Sequence, residues 1–365
     1  MRLYNILISA SLLALVSCGG GGDDPTPAPE ATITAPDSVM VNAGAGEGSF
    51  EVTASDSWEA YSNTSWISNV SPEWSKSTSG TVTFSVDENL QSSKRIGTIV
   101  IKCGTTRHKV PVVQAPHITD ENIATPEGYH LVWHDEFESG DRPDTKLWYY
   151  ETGAGGWGNN EIQNYVSPET PAGTNLAKVS GGILTLTCLK EEGQVYSIRV
   201  NTKEAWTYGY FEASLKLPSG KGTWPAFWMM PKNFTSWPED GEIDIMEEVG
   251  YNANYCSSTV HCKKYNNGGT AIEHAERKIP TAQSEFHTYA LEWTPDYMIF
   301  YIDGEKLLRY DNDKKGYDSW PFDNPFYLKL NLAWGGNWGG AQGVDESCLP
   351  ADYQIDYVRV FQKDE

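Results

Sequence analysis

The sequence predicts an all-β protein with two β-sandwiches, a small one followed by a large one. Short runs of alternating apolar and polar residues recur along most of the chain, and turn residues separate them about every ten positions in the first part. Residues 31–115 have no convincing helical period, and the rest of the chain has few helical stretches. The chain has 365 residues, of which 39% are hydrophobic, so it is long enough for two cores.

The first 17 residues are typical of a secretory signal. A charged start precedes a short apolar run over 6–16, whereas a membrane span needs about 20 apolar residues. The string Leu15-Val16-Ser17-Cys18 resembles a bacterial lipobox, which implies cleavage before Cys18 and acylation of its thiol. The alternative is an ordinary signal peptide with an incidental cysteine. Residues 18–30 are Gly-rich and then Pro-rich, so we expect a tether.

The lipobox implies a location. We expect an outer-membrane lipoprotein of a Gram-negative bacterium, exposed at the cell surface and held to the membrane only through a lipid at Cys18. The acidic pair Asp23-Asp24 resembles a surface-export signal. We also expect a monomer.

Residues 31–115 are predicted to form the small sandwich. Alternation is clear over 81–86 and 97–101. The region resembles a BACON-type module in several motifs: Trp58, Trp66-Ile67, Asn89, Arg95-Ile96-Gly97-Thr98 and Val112-Val113-Gln114. The resemblance implies carbohydrate binding, and the alternative is a spacer. Residues 116–128 are interpreted as a linker.

Residues 129–365 are predicted to form a large two-sheet sandwich. The predicted strands include 182–187, 210–217, 289–293 and 297–302. Asp303-Gly304, after the last of these, is a hairpin signal.

Charge and composition limit the partners. A net charge of -22 disfavours nucleic acid, whose phosphates would be repelled. The 14 Trp and 20 Tyr favour flat amphipathic ligands such as sugar rings. The six cysteines include no CxxC pair, so zinc-ligand spacing is absent. If Cys18 is lipidated, at least one of the others is unpaired.

An acidic cluster is the most informative feature of the chain. In the segment 240–249, alternation along a strand places Glu242 and Asp244 on one face. Glu247 joins them only if one extra residue is absorbed, which predicts a β-bulge around Ile245-Met246. Glu242 and Glu247 then lie about 13 Å apart at their Cα atoms. This spacing is compatible with the carboxyl pair of a retaining glycosidase, about 5–5.5 Å apart. An ordinary solvated strand face is the alternative.

The segments on both sides of the acidic cluster favour a catalytic site over a solvated strand face. The string Glu-Ile-Asp-Ile-Met-Glu at 242–247 resembles the bulged signature of glycoside hydrolase family 16. Other segments resemble that family in the expected order: 131–137, 155–161, 208–213, 222–228, 286–296 and 355–360. The resemblance spans 129–362 and implies a β-jelly roll with an open cleft and an endo-acting retaining mechanism.

The resemblance also implies roles for single residues. Glu242 corresponds to the nucleophile, Glu247 to the acid/base and Asp244 to an assisting acid. The implied sugar contacts are Asn160, Arg199, Trp224, Trp228 and His261. Trp338 lies in a segment that departs from the family, where it is either a further sugar platform or a wall of the cleft. No cofactor is expected for catalysis. A structural calcium, as in many relatives, would take oxygens from Glu136, the Gly182 region and Asp356.

The expected activity is hydrolysis of β-1,3-glucan (laminarin), mixed-linkage β-1,3-1,4-glucan, or both. Three alternatives stay open from the sequence. One is a galactan-type hydrolase of the same family, acting on agar, carrageenan or β-1,3-galactan. The second is a surface lipoprotein that binds glycan without cleaving it, and the third is a transglycosylase.

Overall fold

The computed structural model describes residues 31–266 and 273–364. Nearly all of the regular structure in these ranges is β-strand, which confirms the predicted all-β fold class. The predicted signal peptide (1–17) and tether (18–30), with Cys18, lie outside the described residues. Within the described ranges, no helix has the length and apolar character needed to cross a membrane.

The first sandwich contains two small sheets packed face to face. Its strands are β1 (Ile33–Thr34), β2 (Val39–Val41), β3 (Gly46–Ala54), β4 (Trp58–Ser62), β5 (Ile67–Ser71), β6 (Trp74–Ser75), β7 (Ser79–Val86), β8 (Arg95–Cys103) and β9 (Thr106–Gln114). One sheet has the order β1-β3-β7-β5 and the other β2-β9-β8-β4-β6. Buried and exposed residues alternate along β7 and β8 because successive side chains point to opposite faces. Trp58, Phe84 and Ile99 are in the core between the sheets.

The second sandwich follows a short 3-10 helix, Asp120–Asn122. Its first strands are β10 (Tyr129–Asp135), β11 (Trp148–Tyr150), β12 (Asn164–Tyr165), β13 (Ala177–Ser180), β14 (Ile183–Glu191), β15 (Gln194–Ser197), β16 (Arg199–Thr202), β17 (Gly209–Lys216) and β18 (Thr223–Pro231). The remaining strands are β19 (Glu242–Glu247), β20 (Tyr255–His261), β21 (Glu273–Lys278), β22 (His287–Trp293), β23 (Tyr297–Ile302), β24 (Glu305–Asp311), β25 (Phe326–Trp334) and β26 (Ala351–Lys363). Helix α1 spans Gly336–Gly339, and two further 3-10 helices span Gly250–Asn252 and Glu346–Cys348.

Two large sheets enclose the second core. The ten-stranded sheet follows the order β12-β15-β14-β26-β17-β22-β23-β24, with β10 beside β26 and β13 beside β14. The predicted hairpin at Asp303-Gly304 joins β23 to β24, and both residues have positive φ, as the sequence suggested. All five described cysteines are free, so the fold is stabilised by its core and not by disulfides.

The seven-stranded sheet positions the acidic cluster. Its order is β11-β16-β25-β18-β19-β20-β21. One face of this sheet, with Val200, Leu330, Phe227 and Ile243, packs into the core. Residues of the opposite parity point away from the core, and we call their side of the sheet the outer face.

Candidate active site

Strand β19 contains the predicted bulge. Asp244 and Glu247 are three positions apart on β19, but their partners on β20 are only two positions apart. The ladder between β18 and β19 has a matching register shift. Both Ile245 and Met246 are buried in the core. The extra residue therefore lets Glu247 return to the outer face, where it joins Glu242.

Each outer acid of the cluster accepts a hydrogen bond from an indole. Trp237 Nε1 donates to Glu242 Oε2 at 3.0 Å, and Trp224 Nε1 donates to Glu247 Oε1 at 2.9 Å. Glu242 and Glu247 are half-buried, while Asp244 between them is only 2% exposed. A ligand on the outer face can therefore reach the two glutamates, and Asp244 lies beneath.

The three carboxyl groups cannot all ionise easily. Burial raises the pKa of Glu242, Asp244 and Glu247, and the negative charge of Asp244 raises the pKa of both glutamates further. A carboxylate oxygen of Glu242 and one of Asp244 lie within 4.8 Å of each other. The indole hydrogen bonds act in the opposite direction because they stabilise the ionised forms. The cluster thus retains a proton near neutral pH, as one nucleophile and one acid require.

His261 borders the cluster on β20. It is the cross-strand partner of Glu242, and its Nε2 lies 3.3 Å from Asp244 Oδ2. Its ring also lies beside Trp237, with the ring centroids 5.8 Å apart. Glu242, Asp244 and His261 offer three ligand atoms within 4.8 Å of one another, which is close enough to hold a cation.

The three predicted tryptophans all lie on the outer face or beside it. Trp224 and Trp228 are half-buried on β18, outside the core cluster. Trp228 Nε1 donates to Asn331 Oδ1 at 2.7 Å, which fixes its ring. Trp338, on α1, packs edge-on against Trp224 with the centroids 5.3 Å apart. These rings form an apolar wall next to the acids.

Arg199 is held on the other side of β18 from His261. Its guanidinium lies 4.5 Å from the ring centroid of Trp157, 4.8 Å from that of Tyr165 and 5.4 Å from that of Trp228. Such stacking holds the planar guanidinium in place and leaves some of its N–H groups available for other hydrogen bonds. The structure therefore places Arg199 close to Trp228.

Asn160 lies further out. It is exposed, and its Nδ2 donates to Asn337 Oδ1 at 2.9 Å. This bond ties the loop 153–166 to α1, so Asn160 is close to the Trp338 wall and not in contact with the acids.

Two polar groups on this face were not expected from the sequence. Trp237 precedes β19 in a loop, where no periodicity could reveal its contact with Glu242. Lys329 on β25 is 3% exposed, and its Nζ lies 2.5 Å from Glu151 Oε2. Burial lowers the pKa of Lys329 to about 8, although Glu151 opposes that shift. A signal for Lys329 existed: Tyr327, Lys329 and Asn331 alternate with leucines along β25.

The predicted calcium ligands line one pocket, together with Pro116 and Ile118. The Glu136 carboxylate binds Arg359 through two hydrogen bonds of 2.8 and 2.9 Å, so that side chain is already engaged. Asp356 is half-buried, and its Oδ2 accepts a weaker hydrogen bond from Ser214 at 3.3 Å. Gly182 has a φ of 75°, and a Cβ there would lie 3.9 Å from the Glu136 carbonyl oxygen. The oxygens at this pocket therefore include the Asp356 carboxylate and the main-chain carbonyl of Glu136, beside Gly182.

Comparisons with known proteins agree with this geometry. A β-glucanase from Rhodothermus marinus is 44% identical over 248 residues, which cover 64% of this chain and 85% of that protein. The structure of the Rhodothermus marinus laminarinase is 42% identical with a TM-score of 0.62, and the match covers 65% of this chain and 98% of that one. SCLam, a non-specific endo-β-1,3(4)-glucanase of family GH16, is also 42% identical, with a TM-score of 0.61 and coverage of 66% and 94%.

Two family models match the chain. Residues 56–115 match BACON, described as a putative binding domain, N-terminal. Residues 168–359 match glycosyl hydrolases family 16 and include the bulged strand with its three acids. The chain therefore belongs to glycosyl hydrolase family 16.

Proposed function

We propose that this protein is an endo-acting, retaining β-glucan hydrolase that cleaves β-1,3-glucan, mixed-linkage β-1,3-1,4-glucan, or both. The observation that carries the proposal is the bulged strand, which brings Glu242 and Glu247 to one face with the buried Asp244 between them. The family and the activities of its relatives, a β-glucanase and a non-specific endo-β-1,3(4)-glucanase, support the substrate class.

In the proposed mechanism, two glutamates act in turn. Ionised Glu242 attacks C1 of the sugar on one side of the scissile bond while Glu247 donates its proton to the leaving oxygen. This step gives a covalent glycosyl-enzyme and releases the first product. Glu247, now a carboxylate, takes a proton from water, and the resulting hydroxide attacks C1 and frees Glu242. Asp244 accepts the proton of Glu242 when Glu242 must be ionised, which the closeness of the two carboxyl groups supports.

The surrounding residues would hold the sugar chain. The Trp224 and Trp228 rings are suited to stack against pyranose faces, with Trp338 as a wall. Arg199 and Asn160 would contact sugars on one side of the scissile bond, and His261 would contact the sugar on the other side. The locations of Arg199 on β16 and His261 on β20, on opposite sides of the acids, support this division.

Release of reducing ends from laminarin and from cereal mixed-linkage glucan tests the proposal. We expect activity on at least one of them, and losses of about 1000-fold or more in Glu242→Gln and Glu247→Gln. Glu127→Gln, an exposed glutamate in the linker, is the matched control. If wild type and Glu242→Gln release equally little from every polysaccharide tried, galactans included, the hydrolase proposal fails and the binding alternative is favoured. Activity only on agar, carrageenan or β-1,3-galactan would support the galactan alternative.

Azide separates the two roles. With an aryl glycoside, azide should reactivate Glu247→Ala and give a β-glycosyl azide, because azide intercepts the glycosyl-enzyme. With Glu242→Ala it should give the α-glycosyl azide by direct displacement. The reverse pattern would exchange the two assignments. Product analysis at high and low substrate concentration would reveal any transglycosylation.

We also propose that the protein is a lipoprotein anchored at Cys18 and exposed on the outer membrane. The lipobox at 15–18 and the Gly/Pro-rich tether support this. Metabolic labelling with a fatty acid should mark the wild type and not Cys18→Ala, and added protease should digest the protein on intact cells. Labelling of both proteins would contradict the anchor.

A further inference from the structure

We propose that Tyr149, Tyr327 and Glu151 form an additional sugar-binding subsite at the β11 edge of the outer face. The subsite would take a distal pyranose ring of a long β-glucan chain. This inference rests on the proposed function, because it assumes that a glycan lies across the outer face.

The position of Tyr149 follows from the sheet register. Tyr149 is opposite Asn201, Asn201 is opposite Lys329, Lys329 is opposite Trp228, and Trp228 is opposite Asp244. Cross-strand partners share a face, so this row crosses the outer face from the acids to the sheet edge. Neighbouring strands are about 4.8 Å apart, so the four steps span about 19 Å. A pyranose ring in a β-linked chain is about as long as one step. The chain therefore reaches Tyr149 about four rings from the cleavage point.

The side chains at this edge have the chemistry of a sugar platform. Tyr149 is 39% exposed, whereas its neighbour Trp148 is buried in the core. Its ring lies 6.4 Å from the ring of the half-buried Tyr327. Tyrosine offers an apolar face to the C–H side of a pyranose and a hydroxyl to its rim.

A buried cation links this platform to the Trp228 ring. Lys329 Nζ lies 4.9 Å from the ring centroid of Trp228 and 5.1 Å from that of Tyr327. A buried lysine is costly unless it is paired, and here Glu151 supplies the partner charge. Since one ammonium contacts both rings, it holds them at a constant separation. Lys329 is therefore a positioning residue for the platform.

Glu151 completes the subsite with a hydrogen-bond acceptor. It alternates with Tyr149 along the chain and is therefore on the same face, and its side chain is about one-third exposed. Asn201 Nδ2 donates to Glu151 Oε2 at 3.1 Å, and Lys329 contacts the same oxygen. Among the described contacts of Glu151, none uses Oε1. That oxygen is free to accept a hydrogen bond from a sugar hydroxyl.

The test measures kcat/KM on β-gluco-oligosaccharides of increasing length. In the wild type we expect kcat/KM to rise with substrate length until the oligosaccharide is long enough for one of its rings to contact Tyr149. In Tyr149→Ala we expect short substrates to be cleaved as in the wild type, and the longest ones about 3- to 10-fold less efficiently, the size of one lost aromatic contact. Tyr149→Phe should keep most of the gain. Tyr61→Ala, a half-buried tyrosine of the first sandwich, is the matched control and should change nothing.

Two results would overturn the subsite. One is an equal loss in Tyr149→Ala at every chain length, and the other is a length dependence identical to that of the wild type. Lys329→Met supplies a second readout, because a displaced platform should shift the product lengths released from a polysaccharide. A wild type that releases no reducing ends from any glucan would instead refute the proposed function, so the two failures are distinguishable.

Discussion

Trp237→Phe removes the N–H that donates to Glu242 while it keeps an aromatic ring in place. The lost bond is the 3.0 Å contact between Trp237 Nε1 and Glu242 Oε2, which stabilises the ionised carboxylate. Its removal must raise the pKa of Glu242 above the value that burial already imposes. Activity requires ionised Glu242. The acidic limb of kcat/KM should therefore move to higher pH, and the rate above the limb should change little.

The size of the shift follows from the hydrogen bond. A bond to a charged group contributes about 1.5–3 kcal/mol, and one pKa unit corresponds to about 1.4 kcal/mol. Trp237 is 43% exposed, so water competes for the carboxylate and the lower end applies. We therefore expect a shift of about one pH unit, which lowers kcat/KM about tenfold on the acidic side.

The assay is a pH profile of kcat/KM on a soluble glucan. Trp224→Phe is the matched variant, because Trp224 donates to Glu247 in the same way. Glu247 must be protonated when it acts as the acid in the first step. Loss of the Trp224 hydrogen bond raises the pKa of Glu247, so in that variant the basic limb of kcat/KM should move to higher pH. Because the three acids titrate together, each limb reports an apparent pKa of the whole cluster. The test is therefore the difference between the two variants in which limb moves. An acidic limb that stays in place in Trp237→Phe would refute it.

Three other changes test the scaffold. Arg359→Met breaks a largely buried ion pair with Glu136 and should lower the free energy of unfolding by about 3–5 kcal/mol in chemical denaturation; full stability would contradict this. If calcium binds at Asp356, added calcium should raise the Tm of the wild type and not that of Asp356→Asn, whereas equal shifts would exclude that ligand. Gly250→Ala would place a Cβ 1.8 Å from the carbonyl oxygen of Gly220, so we expect a loss of about 3 kcal/mol or more, and a wild-type melting curve would contradict the packing.

Alternation along strands made much of the fold predictable. The runs at 81–86 and 97–101 lie within β7 and β8, because a half-buried strand must alternate. The same rule predicted the bulge, since Glu247 has the wrong parity for a regular strand. The order in which β19 pairs with β18 and β20 could not be predicted in this way, because pairing depends on contacts far apart along the chain.

Lys329 and Trp237 could not be assigned to the site from the sequence, because the position of each depends on contacts outside its own strand or loop. A lysine in a strand is usually exposed, and Lys329 is buried only because Glu151, 178 positions away, supplies its counter-charge. Trp237 is in a loop whose path decides where its N–H points. Alternation along β25 indicates the face on which Lys329 lies, but no local pattern indicates its burial or the direction of the Trp237 N–H.

The bulge also gives the strand an unusual tolerance to a change in length. Without Ile245 the strand would read Glu-Ile-Asp-Met-Glu, and plain alternation would still put Glu242, Asp244 and Glu247 on the same side. The loss or gain of one codon at this point would thus exchange a bulged strand for a regular one without turning any acid into the core. A lineage could cross between the two forms in a single step while it keeps all three acids, at the cost of one buried isoleucine.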